Sequence, residues 1–198
     1  LGAALKRGVR DARLVAQLGE YLNDSGRATD ALRVLEPLAT RTDADPDVLM
    51  TWGIALASAH RATDAVRVFE RLATLMPTSS APLENLGVIE IERRDFGSAS
   101  RAFDQALVRN PDSSRAWHGR GVVSFERGDR AAAYASWREA LARDALNWDA
   151  LSTLAKNLAR DGEVPESRKL LERFIRDAPP AQYARAISDA RTLLLVLK

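Results

Sequence analysis

Two histidines, His60 and His118, are the side chains best suited to proton transfer near neutral pH in this chain of 198 residues, which has no cysteine. Acid-base or nucleophilic catalysis requires side chains that converge and have perturbed acidity. His60 falls where a turn between helices is expected. His118, beside Trp117 and near Arg115, would give a polar contact to a bound peptide. The plainer alternative is a solvated helix histidine, and the sequence sets no carboxylate against it. There is no His-Glu-x-x-His helix, no phosphate-binding glycine loop and no cysteine-based zinc spacing. We therefore expect no catalytic residue, metal or cofactor, and read the chain as a non-enzyme. Asp43 and Asp45 lie in a polar loop, where solvation explains them. Trp52, Trp117, Trp137 and Trp148 could stack sugars or bases, but three fall on an apolar stripe and Trp148 opens a helix, so all four read as structural.

The elements that position these residues follow a 34-residue period. Gly19, Gly53, Gly87, Gly121 and Ala155 lie on it, and a fixed spacing of that length marks a stacked array of repeats. Twelve residues after each come Ala31, Ala65, Ala99, Ala133 and Ser167. Four further on stand Leu35, Phe69, Phe103, Trp137 and Leu171, then three later Leu38, Leu72, Ala106, Ala140 and Phe174. Small, large and medium apolar residues thus recur on one helical stripe. Pro77, Pro111 and Pro179 recur 24 residues after the small residue, with Asp43 and Ala145 in the remaining units, and a proline there stops a helix before the next begins.

Each period reads as two helices. In the third, Ala81 to Arg94 is followed by an Asp95-Phe96-Gly97 turn and a second helix from Ser98 to Arg109. Gly26, Gly128 and Gly162, with His60 and Arg94 in equivalent places, mark left-handed helix ends. Pro37 predicts a kink or an early end in its helix. Beyond Pro179, Gln182 to Lys198 reads as a last helix that covers the exposed apolar face of the last unit. Its end, Leu193 to Leu197, is apolar all round and predicts that a missing domain or a second copy covers it.

Small residue, alanine, aromatic and proline at this spacing resemble the tetratricopeptide repeat (TPR) family, most closely at Trp117, Gly121, Ala133, Trp137 and Ala140. The resemblance implies an all-α, right-handed solenoid of helix-turn-helix units. Five complete repeats are expected at 12–45, 46–79, 80–113, 114–147 and 148–181, with a capping helix at 182–198. Leu1 and Ala4 fall one period before Leu35 and Leu38, so residues 1–11 read as the tail of a truncated repeat, and the chain as a fragment of a longer protein.

In TPR proteins one face of the first helices lines a concave groove. The positions that match it here include Met50, Ile54, Glu84, Val88, Ile91, His118, Val122, Phe125 and Lys156, with Arg115 on the rim. Its apolar middle suits an amphipathic helix or an extended apolar segment of a protein partner. The plainer alternative is packing between adjacent first helices. Some TPR proteins clamp the carboxylate tail of a chaperone with lysine, asparagine and arginine. Asn85 and Arg115 match two of those places, but Met50, Ile54 and Gly119 occupy others, so most donors are missing.

Apolar content of 46% and charged content of 28% describe a folded chain. Its 29 basic and 27 acidic residues are interspersed, as in Glu70-Arg71 and Glu92-Arg93, which argues against a nucleic-acid stripe. No apolar run is long enough to insert in a membrane. The leading reading is a protein-interaction scaffold of the bacterial cytoplasm or periplasm. Two others stay open: a structural segment that forms a homo-oligomer through its C-terminal helix, and an accessory C-terminal array of a larger bacterial enzyme. Ala178 to Tyr183 gives a loose likeness to the arrays of sulfatase-like hydrolases.

Overall fold

Several helix starts are set by a side-chain cap. Asp11 accepts from the backbone N–H of Arg13 and Leu14 at 3.0 and 3.3 Å and opens α1, Ala12–Asp24. Asp45 does the same for Asp47 at 2.8 Å and opens α3, Pro46–Ser58, with proline in the first turn. Such caps satisfy N–H groups that the helix itself leaves unpaired. The computed structural model describes residues 11–197, so the expectation for Leu1 and Ala4 lies outside the described residues. Among the described residues every regular element is a helix.

The chain divides into two units. In the first, through Asn110, α1 and α3 alternate with α2 (Ala28–Ala39) and α4 (Ala62–Leu75), followed by α5 (Ala81–Glu92) and α6 (Phe96–Arg109). Consecutive helices pack on one another, and α1 also packs on α3. Val15, Leu35, Leu49, Leu56, Phe69, Leu72 and Ile89 share one core. The second unit, from Pro111, holds α7 (Ser114–Glu126), α8 (Arg130–Arg143), α9 (Trp148–Arg160), α10 (Val164–Asp177) and α11 (Pro180–Val196). Its core includes Trp137, Leu154 and Leu158, and a second cluster around Leu151, Leu171 and Phe174.

The small residues of the period sit where a side chain has no room. A Cβ on Gly19 would meet Leu35 Cδ1 at 2.7 Å, and one on Gly87 would meet Phe103 Cζ at 2.6 Å. Neither helix of a pair buries its stripe alone, so the pairs depend on these approaches. In the fifth period Ser167 replaces alanine at full burial, and its hydroxyl donates to Ala155 O at 2.8 Å.

All five turns between paired helices contain a left-handed residue: Gly26 (φ 72°), His60 (58°), Arg94 (60°), Gly128 (85°) and Gly162 (86°). α2 ends two residues after Pro37, whereas α4, one period later, continues to Leu75.

Three boundaries differ from the sequence reading. α5 ends at Glu92 because Arg94 has already turned left-handed, and α6 starts at Phe96 because Asp95 accepts from Ser98 N–H at 2.9 Å. α11 begins at Pro180 and bends at Tyr183 (φ −115°), whose ring meets Phe174 edge-on at 5.7 Å. Its end is not apolar on an open surface all round: Leu193, Leu194 and Leu197 pack against the Leu171–Phe174 cluster, and Leu195 and Val196 remain exposed.

Two arginines of the first unit donate to backbone carbonyls. Arg109 donates to Ala73 O, Met76 O and Ser79 O at 3.0–3.1 Å, and Arg71 donates to Arg41 O and Thr42 O at 3.1 and 2.8 Å. These side chains neutralise carbonyls left open at helix ends and in the loops that follow.

Candidate functional site

A helix turns about 100° per residue, so a residue one place from a core glycine points away from the partner helix. In the first unit this face of α1, α3 and α5 borders two open cavities. One, of about 370 Å³, lies between α1 and α3 and is bounded by Ala16, Glu20, Asn23, Asp47, Met50 and Ile54. The other, of about 500 Å³, lies between α3 and α5 and is bounded by Ile54, Ala57, His60, Asn85, Val88 and Glu92. Ile54 borders both and is 36% exposed, while Ala55 and Leu56 beside it are fully buried.

Met50 is half-buried against the first core and turns its edge to the smaller cavity. Asn85 donates from its amide to Ala81 O at 3.0 Å, with Met50 Sδ at 3.6 Å. Ile91 is half-buried and borders neither cavity. Glu84, expected to line the groove, is buried at 7% exposure in the first turn of α5, together with Pro82 and Leu83.

In the second unit the candidate residues behave differently. Val122 and Phe125 pack against the Trp137 cluster, with the Phe125 ring 5.8 Å from that of Trp137 and Arg130 over its other side at 5.7 Å. That cluster takes Trp137 from α8 and Leu154 and Leu158 from α9. Arg115 is exposed and Lys156 half-buried. The Nε2 of His118 is closed off and has no hydrogen-bond partner; burial pushes its imidazole below the ordinary histidine value, with the charge of Asp149 opposing.

The tryptophans occupy structural places. Trp137 is buried and donates Nε1–H to His118 O at 3.2 Å. Trp117 donates to Pro111 O at 2.9 Å and has Arg120 and Arg143 over its ring, each at 5.2 Å. Trp148 packs beside Phe174, and Trp52 against the first core. Among the described residues no group of three or more His, Asp or Glu side chains could hold a metal ion. No helix among them is long and apolar enough to cross a membrane.

The tetratricopeptide repeat family model matches residues 84–135 and 125–182, which together span half of the chain. This chain belongs to the tetratricopeptide repeat family. No curated protein matches it. Among solved structures it is similar to TTC0263, a thermophilic TPR protein of Thermus thermophilus. That likeness has 21% identity and a TM-score of 0.80 and covers 93% of this chain and all of the other. It is also similar to pilF of Pseudomonas aeruginosa, with 16% identity, a TM-score of 0.74 and coverage of 93% and 87%. A MamA structure from Desulfovibrio magneticus RS-1 matches with 18% identity, a TM-score of 0.62 and coverage of 93% and 95%. At these identities the likeness establishes the TPR fold alone.

The sequence reading of this TPR chain missed Asp24 and Asp47, which border the α1–α3 cavity with Arg13. A signal for them existed. Asp47 stands one period before Ala81 and two before Arg115, and Asp24 stands two periods before Glu92, so the ruler extended six residues back and five forward reaches the cavity edges.

Proposed function

We propose that this chain is a protein-interaction scaffold that takes a helix or extended apolar segment of a partner on the face shared by α1, α3 and α5. The observation that carries the reading is Ile54, a branched apolar side chain 36% exposed between two open cavities in an otherwise well-packed helix. An apolar anchor set in a concavity with polar edges is how helix-in-groove recognition obtains both area and orientation. TPR proteins generally mediate protein-protein contacts, and membership of the family supports the same reading.

A photo-crosslinking residue at position 54, in the full-length protein expressed in its own host, tests this. The expected result is one dominant crosslinked protein, whose purified form binds the wild type and loses about tenfold or more in affinity to Ile54→Ser. The control position is Val108, 83% exposed on a second helix. Crosslinks at position 108 and none at 54 would assign binding to another face.

A further inference from the structure

The two cavities of the first unit have an electrostatic sign that the chain as a whole lacks. Glu20, Asp24 and Asp47 border the first, and Glu92 borders the second; among the described residues Arg13 is the one formally cationic side chain on either wall. None of these four carboxylates forms an ion pair among the described residues, whereas Asp30, Asp43, Asp64 and Glu90 elsewhere in the unit are each held by an arginine. The whole chain carries a formal charge of +2. Asn23 adds an independent feature at the first cavity: its Oδ1 is buried and accepts no hydrogen bond. A closed acceptor without a donor is destabilising until a donor reaches it.

The carboxylates are placed as two borders. Asp47 opens α3, while Asp24 and Glu92 close α1 and α5. Their registers are separated by about 16 Å along a helix axis. Between the borders lie Met50, Ile54 and Ala57, one helical strip, with Val88 beside it. A crossing helix is about 10–12 Å wide with its side chains, so it fits between the borders and lays its own apolar strip on Ile54. Its flanks then meet Asp24 and Glu92 on one side, and Asp47 with Arg13 in the same register on the other. Lysine and arginine suit that position, since their stems cover apolar surface while the charged heads reach outward.

We propose that the occupant of this face is a cationic amphipathic helix of a protein partner, with lysine or arginine on both sides of an apolar strip. The inference rests on the reading above that the face is a docking surface. The opposite charge, as in an acidic C-terminal tail, would meet like charge at Asp24 and Glu92 on one border and at Asp47 on the other, with Arg13 alone opposing.

The test uses the whole chain and three labelled peptides of about five helical turns. They share one apolar strip and carry lysine, glutamine or glutamate on its flanks, and binding is read by fluorescence anisotropy. The lysine peptide is expected to bind about tenfold or more tighter than the glutamine peptide, with a preference that shrinks as salt rises. The glutamate peptide should be the weakest. The combined variant Glu20→Gln, Asp24→Asn, Asp47→Asn and Glu92→Gln should lose the preference and keep its affinity for the glutamine peptide. Arg13→Gln, which removes a cation, should tighten the lysine peptide further, a gain that misfolding cannot imitate. Equal affinities for the three peptides, or the glutamate peptide binding tightest, would overturn the charge assignment and leave the docking face standing. Failure of every peptide to bind, or binding indifferent to Ile54→Ser, would overturn both.

Discussion

Phe69 fills the space in which a Cβ on Gly53 would stand: an added methyl would lie 2.7 Å from Cζ and 3.0 Å from Cε2. Phe69 is 1% exposed and belongs to the core of the first unit, and its ring also borders the α3–α5 cavity. Two effects of Gly53→Ala then oppose each other. Helix propensity favours alanine by about 1 kcal/mol, and overpacking disfavours it by about 1–3 kcal/mol. We expect net destabilisation of up to about 2 kcal/mol, read by urea unfolding. Gly87→Ala, against all three nearest atoms of the Phe103 ring at 2.6–2.7 Å, should behave alike. A gain in stability at both sites would show that the rings yield, and would remove the steric reason for glycine on the period.

The turn residues allow the reverse experiment. His60 holds φ at 58° with an exposed side chain, and a left-handed residue with a Cβ costs about 1–2 kcal/mol. Glycine relieves that strain but loses about 0.5–1 kcal/mol to its freer unfolded chain. His60→Gly is therefore expected to stabilise by about 0.5–1 kcal/mol. Gly128→Ala, at φ 85° with open space around it, should destabilise by about 1 kcal/mol through the backbone alone. Thermal melts of the two variants should move in opposite directions.

These two sets of residues also mark what could be read in the sequence. Gly53 and Phe69 belong to one helix pair, and His60 and Gly128 stand two periods apart in equivalent turns, so a 34-residue ruler finds them. The ends of α5 and α6 were displaced by two residues because a single cap, Asp95, and a single left-handed residue, Arg94, decide them. The acceptors of Arg109 lie 30 to 36 residues away on backbone carbonyls, which carry no sequence signature. Asp24 and Asp47 at the cavity borders escaped for another reason. Their register is filled by Arg13, Asp47 and Ala81 on one side and by Asp24, Ser58 and Glu92 on the other, so no residue type repeats there.

Arg109 provides a third prediction. Its guanidinium is part-buried and holds three carbonyls at the end of α4 and in the following loop. Arg109→Ala removes hydrogen bonds from a charged donor and leaves these acceptors poorly served, at a cost of about 1.5–3 kcal/mol. Arg67 forms an exposed pair with Asp64 at 3.9 Å, and Arg67→Ala should change stability by less than about 0.5 kcal/mol. Denaturant midpoints that fall equally for both variants would deny Arg109 its clamping role.

The last prediction concerns His118, whose Nε2 is enclosed without a partner. Burial favours its neutral form, against the pull of Asp149, so the folded-state value lies below the ordinary one of about 6.5. The sign follows from proton counting. Between the lowered folded value and about 6.5 the unfolded chain binds a proton that the folded chain does not, so stability falls as pH falls through that window and is flat beneath it. The carboxylates of Asp30, Asp95 and Asp177, each lowered by hydrogen bonds from its neighbours, contribute losses only at more acid pH, through and below the ordinary carboxylate range. Stability of the wild type, measured by urea titration, should therefore decline in two separate steps on acidification. His118→Gln should abolish the step nearer neutrality and leave the acid step in place. A neutral-side step that survives the substitution would show that His118 does not carry it.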